Sequence, residues 1–237
     1  MYQKHLVNCD STQIYLKENI TELLKKDTYI LVSTNNQIHG IGRHGNTWKD
    51  YPNALAFSFL LYPTVPITLI PIILGIQLSK YIELKFNEHI RLKWPNDLMN
   101  TNMEKCAGIL CQYYSQDIII VGIGLDLGKS DEQTFQGKFN AKPGVIKPEL
   151  KLDEMEKKEL PKDIYQYILE NPIDQTLIKQ EWEKLCAHMG AKVEIEIPTE
   201  KKQGIFRGIS KKGTAIIETS KDKFEEFISG SLNISDN

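Results

Sequence analysis

The chain has 237 residues, 41% hydrophobic and 25% charged, the composition of a globular protein with one large domain or a large one plus a small one. A formal net charge of −2 excludes a general affinity for nucleic acid and leaves any basic surface to local clustering. Cys9, Cys106, Cys111 and Cys186 form no C-x-x-C pair, and the five histidines make no zinc spacing with them, so free thiols in a reducing compartment are expected.

In chain order, Met1-Tyr2-Gln3-Lys4-His5 leads into polar sequence, without the apolar segment of a signal peptide, as expected for a cytoplasmic protein. Asp10, Ser11 or Thr12 can cap a helix over 13–26, where Ile14, Leu16, Ile20, Leu23 and Leu24 recur at helical spacing. Tyr29-Ile30-Leu31-Val32 reads as a short buried strand. It delivers a loop from Gln37 to Trp48 in which Gly40, Gly42 and Gly45 fall close together around Arg43. Bare backbone amides can wrap an anion, and a guanidinium matches phosphate or carboxylate oxygens two at a time. A surface loop with a stray arginine is the bland alternative. The loop lacks the Gly-Lys-Ser/Thr ending of a nucleotide phosphate loop, and Pro52 forbids the helix that a dinucleotide fingerprint needs straight after its glycines.

Tyr51 to Ser79 carries no charge, but Pro63, Pro66, Pro71 and Gly75 interrupt it. It therefore reads as a strand over 54–61, a turn and the start of a helix over 72–86, not as a membrane span. The helix should turn Leu74, Leu78, Tyr81 or Ile82 inward. Arg91-Leu92-Lys93-Trp94 should be a strand ended by Pro95, with a turn at Asn96-Asp97. Strands are expected over 105–114 and 117–127, followed by a polar surface loop over 129–151. Helices should cover 153–169 and 173–188, the second with Leu177, Ile178, Trp182, Leu185 and Met189 as its apolar stripe. After Gly190 the pattern alternates at Val193, Ile195 and Ile197; short strands at 204–209, 215–217 and 227–230 then suggest a small barrel.

Gly40-Ile41-Gly42-Arg43-His44-Gly45-Asn46-Thr47-Trp48, then Lys93-Trp94-Pro95-Asn96-Asp97, then Lys105-Cys106-Ala107-Gly108-Ile109-Leu110 form an ordered set. Together they resemble the class I biotin protein ligases (biotin–acetyl-CoA-carboxylase ligases), which carry Gly-Arg-Gly-Arg-x-Gly-x-x-Trp, Lys-Trp-Pro-Asn-Asp and Lys-x-x-Gly-Ile-Leu in that order. The resemblance extends from about Asp10 to the C-terminus. It implies an α+β fold: a mixed sheet packed against helices, of the class II synthetase-like kind, over 1–189, and a small SH3-like β-barrel over 190–237. Nothing here resembles the helix-turn-helix of the family's dual enzyme–repressors, so a ligase that binds no DNA and no membrane is expected.

The resemblance also implies the chemistry. ATP activates biotin to biotinyl-5′-adenylate, and a lysine of the biotin carboxyl carrier domain of acetyl-CoA carboxylase then takes the biotin. Ser11 and Thr12, with Gln13 in place of the family Asn, would meet the ureido head. Gln37, Gly40, Ile41 and Gly42 would close over biotin and its activated carboxyl group, with Gly108 beside them and Trp48 stacked above. Arg43 would retain the adenylate, and Lys105 would stabilise developing charge as a fixed cation. Lys93, Asn96 and Asp97 would organise the nucleotide, Asp97 being a hard-oxygen ligand for Mg²⁺ or, equally, a turn former. Monomers and homodimers are both found in the family.

Three features depart from or complicate this pattern. Ile41 replaces the first Arg of the glycine loop, and Asp126 replaces an Asn that faces adenine; an Asp cannot donate to a ring nitrogen. Cys106 beside Lys105 keeps open a lipoate or octanoate transferase of the same superfamily with a thiolate nucleophile. A biotin-binding module without turnover is the third reading.

Overall fold

The computed structural model describes residues 1–48, 53–129 and 142–235. The break expected at Pro52 and the middle of the loop expected over 129–151 lie outside the described residues. The first part of the chain forms β1 (Tyr2–Cys9), α1 (Thr12–Leu24), β2 (Ile30–Gln37), β3 (Gly40–Ile41), β4 (Thr47–Trp48), β5 (Asn53–Leu61) and α2 (Ile70–Phe86). There follow β6 (Arg91–Lys93), β7 (Asp97–Met99), β8 (Lys105–Tyr113), β9 (Ile119–Gly128), α3 (Glu154–Glu170) and α4 (Ile178–Leu185). The C-terminal part forms β10 (Lys192–Ile197), β11 (Glu200–Ile209), β12 (Ala215–Ser220), β13 (Lys223–Phe227) and β14 (Ser231–Ile234).

A seven-stranded sheet in the order β1-β2-β5-β9-β8-β7-β6 is the frame; β1 runs parallel to β2, while the other neighbours are antiparallel. Both faces of its centre are covered, which explains why β2, β5 and β9 read as continuous apolar runs. On one face α1 packs Leu16, Ile20 and Leu23 against Ile30, Val32, Leu60 and Ile120. On the other face Leu31, Phe57, Phe59, Val121 and Ile123 join one core with α2, α3 and α4. There Phe59 stacks on Tyr165 with ring centroids 4.4 Å apart. Ile67–Phe86 is long and apolar enough to cross a membrane, but its Leu74, Leu78, Tyr81 and Ile82 are buried in this core.

The second sheet is antiparallel, in the order β13-β12-β11-β10-β14, and matches the expected small SH3-like unit. Its Val193, Ile195, Phe206, Ile209 and Ile217 continue the core of the first sheet. Trp94, almost fully buried, ties the two together by donating its indole N–H to the Gly213 carbonyl at 3.0 Å.

Several expectations need correction. β1 was not anticipated: its alternation is mostly polar, and only pairing with β2 makes a strand of it. Ser11 is the N-cap of α1, yet its own side chain makes no capping hydrogen bond. The turn after β6 is Trp94 to Asn96, and Asp97 already begins β7. The second expected helix is shorter than its stripe, with Leu177 and Met189 outside it and exposed, while Ile178 and Trp182 are buried and Leu185 packs against the core. Of the strand expected over 227–230, Phe227 ends β13 and 228–230 are the connection to β14, where Gly230 adopts a φ of 156°.

Candidate active site

On the face covered by α1, side chains run out just beyond the N-terminus of that helix. β9 places Gly122 and Gly124 after Ile120 on this face, and β8 pairs Gly108 with Gly124. β5 pairs Ser58 with Gly122. The glycines are needed for space. A Cβ at Gly124 would lie 2.3 Å from Trp48 Cε2, one at Gly108 3.0 Å from Trp48 Cζ3, and one at Gly122 2.5 Å from Gln13 Oε1. A cavity opens above this floor, roofed by the 37–48 segment, which is folded into the β3–β4 hairpin.

One end of the cavity is neutral and rich in hydrogen-bonding groups. The Thr12 N–H donates to Gln37 Oε1 at 3.0 Å, which satisfies one free amide of the helix start and fixes the Gln37 side chain. Thr12 Oγ1 lies 2.9 Å from Ser58 Oγ, and Ser58 donates to Gln13 Oε1 at 3.2 Å. The Gln13 amide nitrogen donates to the Ile120 carbonyl at 3.2 Å. Ser11 Oγ is buried with no hydrogen-bond partner among the described residues. Such an orphan costs about 1–3 kcal/mol unless something bonds it, so this end is built to receive a polar group.

The other end is cationic. Arg43, Lys93 and Lys105 line it with Asp97 as their shared counter-charge, three positive groups against one negative. Lys105 Nζ sits 2.5 Å from Asp97 Oδ1 and 5.3 Å from the centre of the Trp48 ring. Arg43 donates from Nη1 to Asn96 Oδ1 at 3.1 Å and to the Gly230 carbonyl at 3.3 Å. Asn96 is itself held, donating to the Ile109 carbonyl at 2.8 Å. Burial lowers the Lys93 ammonium from its usual pKa, partly offset by Asp97, and burial likewise lowers the Arg43 guanidinium. Cations in so dry a place favour an anionic ligand. The backbone of Lys105 is gripped from both sides: its N–H donates to the Lys142 carbonyl at 2.7 Å, and its carbonyl accepts from Gly144 at 2.8 Å.

Most of the expected site residues thus converge: Ser11, Thr12, Gln13, Gln37, Ile41, Gly42, Arg43, Trp48, Lys93, Asn96, Asp97, Lys105 and Gly108 all line the cavity. Two do not. Gly40 is buried behind the wall, where a Cβ would meet Gln37 Nε2 and the Trp48 carbonyl, both at 2.6 Å. Asp126 is buried, 4% exposed, off the cavity on β9, with its carbonyl accepting from Ile146. Cys106 also points away: its thiol bonds the Leu98 carbonyl at 3.4 Å, and burial pushes its pKa far up. Sequence reasoning missed Ser58, Gly230, Ser231 and Leu232. Ser58 sits in an apolar strand that gives no sign of it, and the last three come from a sheet expected only to cover the site.

A family model described as the biotin/lipoate A/B protein ligase family matches residues 7–126. The bifunctional ligase/repressor BirA of Escherichia coli (strain K12) is 28% identical over 222 residues, which span 88% of this chain and 67% of BirA. A biotin protein ligase from Aquifex aeolicus, solved in complex with biotin and ATP, is 26% identical and superposes with a TM-score of 0.77, covering 99% of each chain. The biotin acetyl coenzyme A carboxylase synthetase of Helicobacter pylori, solved with bound biotinylated ATP, is 20% identical, covers 94% of this chain and 98% of its own, and shares the fold with a TM-score of 0.65.

Proposed function

The chain belongs to the biotin/lipoate A/B protein ligase family, and on that premise we propose that it is a biotin protein ligase, forming biotinyl-5′-adenylate from biotin and ATP and passing the biotin to a lysine. The observation that carries this reading is the polarity of the cavity: a neutral end of hydroxyls and amides, and an end where three cations face one carboxylate. Biotin has the same two ends, a neutral ureido ring and a carboxylate, and the phosphates of ATP add negative charge beside the carboxylate.

In the first step a biotin carboxylate oxygen attacks the α-phosphorus of ATP, the bond to the bridging oxygen breaks, and pyrophosphate leaves. In the second, the amine of an acceptor lysine attacks the acyl carbon and AMP leaves with the bonding electrons. Both steps gather negative charge on oxygens near the phosphate. Lys105 and Arg43 stand where they can meet that charge, and donors fixed in advance lower such barriers by several kcal/mol, of order 3 for one lost donor. Lys93 adds a third cation. Asp97 holds Lys105 at its working position. Trp48 lies over the paired Gly108 and Gly124 and excludes water from the acyl chain. Ile41 contributes an apolar wall where its relatives place a cation, so affinity for the carboxylate rests on the remaining three.

Mg²⁺ would enter with ATP. Asp97 is a carboxylate on the cavity wall that can give it an oxygen, and no cluster of three metal-binding side chains occurs among the described residues. One protein carboxylate with phosphates and water supplying the rest fits the habit of this ion. The acceptor is the biotin carboxyl carrier domain of acetyl-CoA carboxylase, and Gly230, Ser231 and Leu232 of the second sheet close the cavity beside Arg43. A lipoate or octanoate transferase with a thiolate nucleophile is disfavoured, because Cys106 is sealed in the core and bonded to Leu98.

Biotin-dependent exchange of labelled pyrophosphate into ATP tests the reading. Exchange with biotin and none with lipoate or octanoate is expected. Exchange driven by lipoate, or no exchange with any acid, would reject it.

A further inference from the structure

The hydroxyl chain at the neutral end has a direction, and that direction selects a ligand. The Gln13 amide nitrogen faces the Ile120 carbonyl at 3.2 Å and Gln112 Oε1 at 3.3 Å, two acceptors, which orients the amide. Gln13 Oε1 therefore points at Ser58, and a carbonyl oxygen can only accept. The single hydroxyl proton of Ser58 goes to it, at 3.2 Å. Ser58 then has no proton left for Thr12, so the 2.9 Å contact between them must be a donation from Thr12 to Ser58. The other neighbour of the Thr12 hydroxyl, Gln37 Oε1 at 3.4 Å, is also only an acceptor. That oxygen is the more distant of the two and already accepts the Thr12 N–H at 3.0 Å, so Ser58 holds the Thr12 proton and the Thr12 oxygen offers the cavity lone pairs alone. The whole chain is buried: Ser58 is 0%, Thr12 3% and Gln13 3% exposed.

We propose that Ser58 is a positioning residue that determines specificity: by sending its proton to Gln13 it locks Thr12 as an acceptor, so the cavity selects a head group with N–H donors, a cyclic urea, over a head group with none. The proposal rests on the reading above that the ligand is biotin, and it adds the residue that discriminates. Ser58 touches neither end of the reaction and acts through Thr12. The room for this chain comes from Gly122, since any side chain there would collide with Gln13 Oε1. Orientation of the Thr12 hydroxyl thus traces to three positions on three different elements, α1, β5 and β9.

The test is calorimetric binding to the full chain of four ligands: biotin, the two biotins methylated at one or the other ureido nitrogen, and ATP. The wild type should bind biotin well ahead of at least one methylated form. Ser58→Ala should narrow that preference about five- to tenfold, the worth of one buried hydrogen bond, while ATP affinity stays within about twofold. Thr12→Val, which removes the acceptor itself, should narrow it equally, and the double variant should add nothing further. It also serves as the second probe should Ser58→Ala fold poorly. A purely structural role would weaken all four ligands together and leave the preference intact. Tight wild-type binding of biotin with the preference unchanged in both variants would overturn the proposal alone. No wild-type binding of biotin would overturn the ligase reading and this proposal with it.

Discussion

Lys105 at the start of β8 and Asp97 at the start of β7 form an ion pair of 2.5 Å on the cavity wall, with the Trp48 ring 5.3 Å from the ammonium. The pair holds the cation on the cavity wall instead of letting it swing into solvent. Asp97 is shared, however, by Arg43 and Lys93 as well, so it cannot neutralise the site. An arriving anion finds positive charge already in place.

Lys105→Ala should fold as the wild type does, because Arg43 and Lys93 still face the Asp97 carboxylate once this ammonium is gone. Adenylate formation should drop about 100- to 1,000-fold, the usual cost of losing one donor to developing charge. Single-turnover formation of biotinyl-adenylate measures this, and a loss below about threefold would contradict the assigned role.

Arg43→Ala should separate formation from retention. Its guanidinium bridges Asn96 and the Gly230 carbonyl and is placed to switch to a phosphate. A charge-assisted hydrogen bond contributes about 1.5–3 kcal/mol, so the adenylate should escape roughly 10- to 100-fold faster while still being made. Release into a filter-binding assay reads the difference; wild-type retention would remove Arg43 from the site.

Gly124→Ala tests the floor. Its new Cβ would lie 2.3 Å from the Trp48 indole, so the ring must lift. Overpacking of this kind costs about 1–3 kcal/mol, which predicts roughly tenfold weaker biotin binding and altered tryptophan emission. Trp94 and Trp182 are almost fully buried elsewhere, so the emission change reports Trp48. Unaltered emission and affinity would place the indole off the glycines.

His188 links acidity to stability. It is 1% exposed, packed between Trp182 and Phe206, and burial, with the Lys93 charge adding to it, lowers its pKa from 6.5 to about 3. Below pH 6.5 the unfolded chain takes up a proton that the folded chain refuses until about pH 3. Stability should therefore fall as pH drops through that window, by up to about 1.4 kcal/mol per pH unit. Urea midpoints between pH 7 and 4 should show it, and His188→Leu should flatten the slope; equal slopes would refute it.

The motifs that carry chemistry were legible because each concentrates unusual residue types: glycines around Arg43, and a cation, a tryptophan, a proline and a carboxylate within Lys93 to Asp97. The apolar runs of β2, β5 and β9 were legible because both faces of them are buried. What escaped depended on register and distance. Gly122 and Gly124 are visible as glycines, but only the pairing of β8 with β9 and the indole laid over them explains the space. Ser58 looks like a polar accident in an apolar strand until α1 brings Thr12 and Gln13 to it. Gly230 reaches Arg43 from 187 residues away, and its segment read as strand because Phe227 and Ile228 are apolar, although Ile228 is exposed. Asp126 was assigned by motif, but its position on β9 turns it away from the cavity.

The most direct test of the account is a crystal structure of the protein with biotin and a non-hydrolysable ATP analogue. The account predicts the ureido ring against Ser11 and Thr12, and the carboxylate and α-phosphate together beneath the 37–48 hairpin. Lys105 Nζ and the Arg43 guanidinium should each lie within hydrogen-bond reach of their oxygens. Biotin bound outside this cavity, or a Lys105 ammonium turned to bulk solvent with the ligands in place, would contradict it.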